Sequence, residues 1–146
     1  MRKGQIRAIA ICVFRKGDSI LVAEGIDEVK GDYFYRPIGG GIEYGETSVQ
    51  ALKREVLEEI GAKISNVHHL GTFENTFTYN GDLGHEVVFV YDAEFVEKSF
   101  YNQPSFFGQE DNGASFKLLW KSIEEFSNGQ LRLVPEELLN MLKSTT

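Results

Sequence analysis

The sequence predicts a single domain of the α/β or α+β class, and three observations lead to that prediction. Short runs of branched and aromatic residues, typical of strands, lie on both sides of one well-delimited amphipathic helix. The 146 residues fit one domain, and they include no internal repeat, low-complexity tract or linker. Cys12 is the only cysteine, so a disulfide cannot form within the chain. We therefore expect residues 1–146 to build one core.

The first part of the chain is predicted to be extended. Branched residues from Ile6 to Phe14 predict a strand, and the turn at residues 16–18 leads to a partner strand from Ser19 to Ala23. Polar residues from Gly25 to Asp32 predict a loop. An aromatic strand from Tyr33 to Pro37 then leads towards three consecutive glycines.

The central helix has a predicted beginning and end. Thr47 is a good N-cap, and Gln50, three residues later, can bond back to the Thr47 amide. Gly61 is a natural residue to follow the last turn. The apolar stripe that predicts a buried face consists of Val49, Leu52, Val56 and Ile60.

The second half of the chain predicts another hairpin. Residues from Val67 to Glu74 and from Thr76 to Tyr79 look extended, Asn80-Gly81 is a strong turn signal, and a long strand follows from Glu86 to Phe95. Residues 98–113 lack periodicity, which favours a long functional loop.

Three short elements are predicted at the carboxyl end. Ser115 to Trp120 predicts the last strand, and Ser122 to Phe126 predicts a short helix. A terminal helix is predicted from Pro135 to Leu142, with Pro135 at or near its first position.

Composition limits the classes of partner. With 22 acidic and 15 basic residues the net charge is -7, so nucleic-acid polymers and anionic membranes are repelled on average. Small phosphorylated substrates are not excluded, because bound metal ions dominate the local field at a site. No apolar run approaches the ~20 residues that span a bilayer, and no cleavage signal is evident. We therefore expect a soluble, cytoplasmic protein.

Three glutamates of the helix are the first candidate functional residues. Glu55, Glu58 and Glu59 are separated by three, four and one residues, so their carboxylates occupy neighbouring positions on one helix face. Like charges so placed destabilise a helix, whereas a divalent cation with a preference for oxygen ligands would bind there. Mg²⁺ is the expected ion and Mn²⁺ fits the same oxygens. The glutamates alone are equally consistent with a solvated charged face.

The segment before the helix favours the metal site. Gly39, Gly40 and Gly41 form a run that lets the backbone approach a ligand closely and offer its carbonyl or amide groups. A glycine-rich loop, a capped helix and an acidic face therefore lie together in the sequence.

These residues resemble the Nudix box, a pattern of glycines, glutamates, one arginine and aliphatic residues at fixed spacings. The matching positions are Gly40, Glu46, Arg54, Glu55, Val56, Glu58, Glu59, Gly61 and Ala62. The resemblance implies an α/β/α sandwich with a mixed sheet between helices. It also implies a hydrolase that cleaves a diphosphate linkage in a nucleoside diphosphate joined to another group.

The resemblance assigns roles to the residues of the box. It implies that Glu58 and Glu59 bind the metal, with the Gly40 carbonyl as a further ligand. Glu55 is then a ligand or the general base, and Arg54 orients a glutamate.

Other roles lie at the margin of the box or outside it. Glu46 is expected to fix the loop to the helix. Gly61 is expected to have a structural role as well, at the end of the helix. Many family members take a further acid from a late loop, and Glu110 is the preferred candidate here, ahead of Glu86 and Glu74.

The expected substrate contacts come from the strands and glycines around the box. They are Gly39, Gly41, Arg36, Tyr79 and His85. Phe77 stands where ADP-ribose hydrolases of the family carry proline, which disfavours that subclass. Tyr79 lies 17 residues past Ala62, as a tyrosine does in dinucleoside polyphosphate hydrolases. A nucleoside triphosphate is the default substrate.

Two alternatives stay open. A Nudix-fold isomerase of isoprenyl diphosphates would need a reactive cysteine, for which Cys12 in a core-like strand is poorly suited. A module that senses a nucleotide without cleaving it is the other alternative, although such proteins tend to lose the box glutamates. Many members of the family pair as dimers, so a homodimer is a further expectation.

Overall fold

The computed structural model describes residues 4–144, which form two sheets. The first is mixed and has the order β5-β1-β7-β6, with β1 and β7 parallel and the other neighbours antiparallel. Its strands are β1 (Ile6–Val13), β5 (Ile38–Gly41), β6 (Ile64–Tyr79) and β7 (Asp82–Phe95). The predicted fold class is confirmed, including the mixed sheet.

The second sheet is antiparallel. It has the order β2-β3-β9-β8, and β4 pairs with β3. Its strands are β2 (Arg15–Lys16), β3 (Ser19–Asp27), β4 (Asp32–Arg36), β8 (Ser105–Gln109) and β9 (Ser115–Ser122). The chain passes from β4 in this sheet to β5 in the first sheet through Pro37 alone, which places Arg36 beside the glycine strand.

The helix α1 (Ser48–Ile60) has the predicted caps. The Thr47 side chain accepts a hydrogen bond from the Gln50 amide, and the Gln50 side chain accepts one from the Thr47 amide. Gly61 adopts the left-handed conformation with φ of 69°. The helix therefore ends where a residue without a side chain permits the change of direction.

Helices cover different parts of the core. Leu52 and Val56 of α1 pack into one cluster of buried residues with Cys12 and Phe95. The second cluster joins Val88 and Val90 of β7 to helices α2 (Ile123–Ser127) and α3 (Glu137–Ser144). Because side chains alternate along β7, α1 lies on one face of the mixed sheet and Val88 points from the other. Within residues 4–144, no helix is long and apolar enough to cross a membrane.

Two predicted boundaries in the hairpins were wrong. Half of the predicted loop from Gly25 to Asp32 is paired, because β3 continues to Asp27 and β4 begins at Asp32. The Phe34 ring lies over Gly25, where an added Cβ would be 2.5 Å from Cζ, so cross-strand packing compensates for the polar sequence. In the second hairpin, β6 is one continuous strand and β7 begins at Asp82. The turn predicted at Asn80-Gly81 is confirmed, with positive φ at both residues.

The predicted loop at residues 98–113 was also wrong in most of its length. It contains a 3₁₀ helix (Lys98–Asn102) and β8, and only Gln103-Pro104 and the turn between β8 and β9 are irregular. Phe100 and Phe106 pack against the first core cluster, with their ring centroids 5.5 Å apart. Most residues of that core cluster are distant in the sequence, so local periodicity does not show this packing.

The terminal helix begins two residues later than predicted, at Glu137. The Pro135 carbonyl accepts a hydrogen bond from the Leu138 amide at 3.1 Å, so the proline precedes the regular helix.

Candidate active site

Arg54 connects the glycine loop to α1. Its Nε lies 2.7 Å from Glu46 Oε2 and its Nη2 lies 2.9 Å from Glu46 Oε1, a bidentate ion pair. Nη2 also donates to the Gly41 carbonyl at 3.0 Å. On the other side, Nη1 donates to Glu55 Oε1 at 2.9 Å and lies 3.4 Å from Glu58 Oε2. Arg54 thereby fixes both the loop and two of the three glutamates.

The Glu46 carboxylate stabilises the start of the loop as well. Its Oε1 accepts a hydrogen bond from the Glu43 amide at 2.9 Å. The bonds from Arg54 and from that amide lower the Glu46 pKa to about 2. The arrangement agrees with a structural role for Glu46.

Gly40 provides the surface on which Glu55 lies. A Cβ added to Gly40 would be 2.5 Å from Glu55 Cδ, so a side chain there would displace the carboxylate. Gly39 has a different constraint, because its φ is 153° and an added Cβ would be 2.1 Å from the Ala10 carbonyl oxygen. Gly39 is thus required for close packing of the strands, whereas Gly40 leaves room for the Glu55 carboxylate.

Glu59 is the most perturbed acid of the site. Its pKa is raised to about 8, mainly by burial and further by the charges of Glu55 and Glu110, while Arg36 opposes the rise. Glu59 Oε1 is buried and has no hydrogen-bond partner within residues 4–144. An unpartnered buried carboxylate oxygen is costly, so this atom marks a position where a ligand would be stabilising.

The other two glutamates differ in exposure. Glu55 is half-buried, and its pKa is raised mainly by that burial, with Arg54 opposing and with Asp111 and Glu58 adding to the rise. Glu58 is exposed at the outer side of α1. Two carboxylates of the set are therefore shielded from water while the third faces it.

A late turn contributes acids to the same region. Glu110, in the turn between β8 and β9, has Oε1 3.6 Å from Arg36 Nη2. Its neighbour Asp111 raises the Glu55 pKa. The turn therefore faces the acidic side of α1, with Arg36 as a cation between them.

The donor set fits a divalent cation, although in the described range no three His, Cys, Asp or Glu side chains already converge as a metal site. The fit rests on the unpartnered Glu59 Oε1 and on two half-buried carboxylates whose ionised form is disfavoured. A bound cation would remove both penalties, since it supplies the missing partner and favours ionisation.

The remaining predicted residues have other surroundings. Tyr79 lies at the tip of the β6–β7 hairpin, where its ring makes an edge-to-face contact with Phe34 at 5.7 Å. His85 is partly buried and, by strand alternation, lies on the face of the mixed sheet that α1 covers. Glu74 is exposed on β6, and Cys12 is buried in the core.

Several residues of the region were missed from the sequence. Asp111 is adjacent to the predicted Glu110, and the same turn signal covers it. Arg7 lies with its Nη2 2.8 Å from the position of a Cβ on Gly41, and only the register between β1 and β5 brings it there. The Gly41 carbonyl, as an acceptor for Arg54, has no signal beyond the glycine run itself.

The fold and the acidic helix after a glycine strand define a class of protein. A family model described as "NUDIX domain" matches residues 4–142, and the chain belongs to that family. Among the solved structures it resembles a NUDIX hydrolase from Nitrosomonas europaea, with a TM-score of 0.66 and 20% identity over 97% of this chain and 88% of that one. It also resembles the E. coli ORF135 protein, with a TM-score of 0.59 and 20% identity over 96% and 90% of the two chains. At such identities these structures show the fold alone.

A curated relative matches a shorter segment. The NAD-capped RNA hydrolase NudC of Salmonella agona is 38% identical over 66 residues, which are 45% of this chain. The matched segment spans 25% of the length of that relative.

Proposed function

We propose that this protein is a divalent-metal-dependent pyrophosphohydrolase that cleaves a diphosphate linkage in a nucleotide. The observation that carries the proposal is the buried, unpartnered Oε1 of Glu59 beside Glu55 and the glycine strand. All acids and the arginine of the box are retained, and the family match covers residues 4–142.

The residues that would hold the metal are Glu55, Glu58, Glu59 and the carbonyl of Gly40, with Glu110 from the late turn. Mg²⁺ is the ion we propose, and Mn²⁺ would bind the same oxygens. When bound, a divalent cation neutralises charge on diphosphate oxygens and lowers the pKa of an attacking water.

The side chains of this chain have separate tasks in the reaction. Arg54 donates hydrogen bonds to Glu55, Glu58 and the Gly41 carbonyl, so it would keep the acids in one orientation relative to the glycine strand. Glu55 either binds the metal or accepts the proton of the attacking water, since burial gives it a higher pKa than an exposed carboxylate has. The Arg36 side chain is 41% exposed beside Glu110, and we propose that it binds a substrate phosphate.

The two alternative functions have less support. The isomerase would need a cysteine that can protonate its substrate. Cys12 is fully buried, and burial raises the pKa of its thiol. A nucleotide sensor would not need the full set of box acids that this chain carries.

The proposed substrate follows from the residues of the site and from the similarity to NudC. We propose a nucleoside triphosphate or a dinucleoside polyphosphate, and the similarity to NudC adds NAD and NAD-capped RNA to the compounds worth testing. The net charge of -7 favours the small compounds over the polymer. A cytoplasmic setting and a homodimer are further parts of the proposal.

The test is a substrate panel with the purified protein and each divalent ion in turn. Nucleoside triphosphates, dinucleoside polyphosphates, NAD and NAD-capped RNA are incubated with Mg²⁺ or Mn²⁺, and the products are identified by chromatography. We expect cleavage between two phosphates with at least one compound and none after chelation. Tight nucleotide binding with no cleavage under any ion would instead establish the sensor.

A further inference from the structure

A row of three polar side chains crosses the mixed sheet beside the candidate active site. Glu86 of β7 is in register with Arg7 of β1 on one side and with Asn75 of β6 on the other. All three are partly buried. By strand alternation they point from the same face, the one opposite to α1.

The next side chains on this face are apolar, so the three polar residues border the core and are not part of a fully solvated surface. The next row on the same face consists of Ile9, Val88 and Phe73, all members of the second core cluster. A half-buried carboxylate in that setting is costly unless it is paired. The Glu86 pKa is raised, mainly by burial, while Arg7, Arg36 and a hydrogen bond from Asn75 oppose the rise. The two guanidinium groups therefore favour the ionised form of a carboxylate that the fold keeps half-buried.

The row is continuous with the acidic site through two arginines. The Arg7 guanidinium lies over Gly41 of β5, and Glu55 lies against Gly40 of the same strand. The charge of Arg36 lowers the pKa of Glu59 and also that of Glu86. A phosphate chain bound at α1 would cross the side-chain-free glycines and reach these two cations, and the group attached to it would then meet Glu86 and Asn75.

We propose that Glu86, positioned by Asn75, recognises the nucleobase of the substrate and selects guanine. This inference rests on the proposed function, since it names the substrate of the same site. It also separates Glu86 from the acids of α1, with which it was grouped as a candidate metal ligand.

The choice of guanine follows from the hydrogen-bonding groups. An ionised carboxylate only accepts hydrogen bonds, and it has two oxygens side by side. The guanine edge presents a ring N–H and an exocyclic amine next to each other, whereas adenine and cytosine present one amine beside an acceptor nitrogen. Two parallel bonds of this kind discriminate between bases by about 10- to 100-fold.

The experiment measures kcat/KM with GTP, ITP, ATP and CTP for the wild-type protein and for Glu86→Gln. ITP is the decisive probe, because it differs from GTP only in lacking the exocyclic amine. We expect wild type to prefer GTP over ITP by about 10-fold and over ATP by more, since one or both bonds are lost. In Glu86→Gln the GTP rate should fall to the ITP rate, mainly through KM.

Glu94→Gln is the matched control. Glu94 lies on β7, as Glu86 does, but at the other end of the strand. Like Glu86, it accepts a hydrogen bond from an asparagine, with Asn66 Nδ2 2.5 Å from Glu94 Oε2. It should keep the wild-type preference. Asn75→Ala gives a second test, because it should weaken GTP use more than ITP use, which depends on one bond to Glu86 rather than two.

The outcomes separate this inference from the proposed function. If no nucleotide is cleaved by wild type, the proposed function fails. If nucleotides are cleaved but GTP and ITP are used equally, or the preference persists in a folded Glu86→Gln protein, the inference is overturned and the hydrolase stands. A preference for adenine or cytosine also overturns it.

Discussion

The guanidinium of Arg54 holds the carboxylate of Glu46 through two hydrogen bonds, Nε to Oε2 at 2.7 Å and Nη2 to Oε1 at 2.9 Å. This pair joins the loop before α1 to the middle of the helix. It is the contact that sets the position of the acidic residues relative to the glycine strand.

Replacing Glu46 by Gln should destabilise the protein in a pH-dependent way. The pKa of Glu46 in the folded state is about 2, below its ordinary value of 4.5, so its stabilising effect is present above pH 4.5 and is lost as the pH falls towards 2. The melting temperatures of wild type and Glu46→Gln should therefore differ most at neutral pH and converge in acid. Thermal melts across that range check this, and a constant difference would contradict it.

The adjacent glycines should respond differently to the same substitution. In Gly40→Ala the new Cβ meets the flexible Glu55 carboxylate, which moves, so turnover should fall by at least 10-fold with a nearly unchanged melting temperature. In Gly39→Ala the Cβ meets the Ala10 backbone, so the fold itself should be destabilised. Circular dichroism melts and initial rates of both variants test the distinction. Equal loss of stability in the two would refute it.

Removal of charge at Glu59 should stabilise the metal-free protein. Its folded pKa of about 8 is above the ordinary 4.5, so the metal-free fold loses stability as the pH rises through that interval. Glu59→Gln removes this loss, and its melting temperature in chelator at pH 8.5 should exceed that of wild type. At pH 4 the two should melt together. A lower melting temperature for the variant at pH 8.5 would show that the charge is already compensated.

Asp27 should be important for the relative position of the two hairpins. Its Oδ1 accepts from the amides of Val29 and Lys30 at 3.0 Å, and its Oδ2 accepts from the Asn80 amide at 3.1 Å. Asp27→Ala leaves these donors unsatisfied and should lower the melting temperature by several degrees. Asp32→Ala, its exposed cross-strand partner, is the control and should have little effect.

The same substitution has a pH-dependent component. Backbone hydrogen bonds, that from Lys30 first, lower the Asp27 pKa below 3.8. The stabilisation is therefore complete above pH 3.8 and is lost as the pH falls through the lower folded value. If Asp27→Ala and wild type melt at the same temperature at pH 7, the hairpins do not depend on this side chain.

The sequence predicts the local parts of this structure well. Thr47, Gln50 and Gly61 mark the ends of α1 because caps depend on neighbours within a few residues. The turn at Asn80-Gly81 is equally local. The family resemblance, carried by a pattern of local spacings, was confirmed for the same reason.

Features that depend on register between distant strands were not predictable in this way. β6 pairs with β7 along its whole length despite irregularities near His68 and Gly71, and only the cross-strand pairing shows that it is one strand. The row formed by Arg7, Glu86 and Asn75 has the same origin, because its members lie far apart in the sequence. The order of strands brings them together, and no local pattern indicates it.

The central claim is that the acids of α1 form the catalytic metal site, and the rates of single carboxylate-to-amide variants test it most directly. Initial rates of diphosphate cleavage are measured at saturating Mg²⁺ for Glu58→Gln, Glu59→Gln and the control Glu94→Gln, after circular dichroism has shown that each is folded. We expect the first two to lose at least two orders of magnitude in turnover, roughly 3 kcal/mol or more in activation free energy, while the control keeps the wild-type rate. Near wild-type rates for both Glu58→Gln and Glu59→Gln would contradict it.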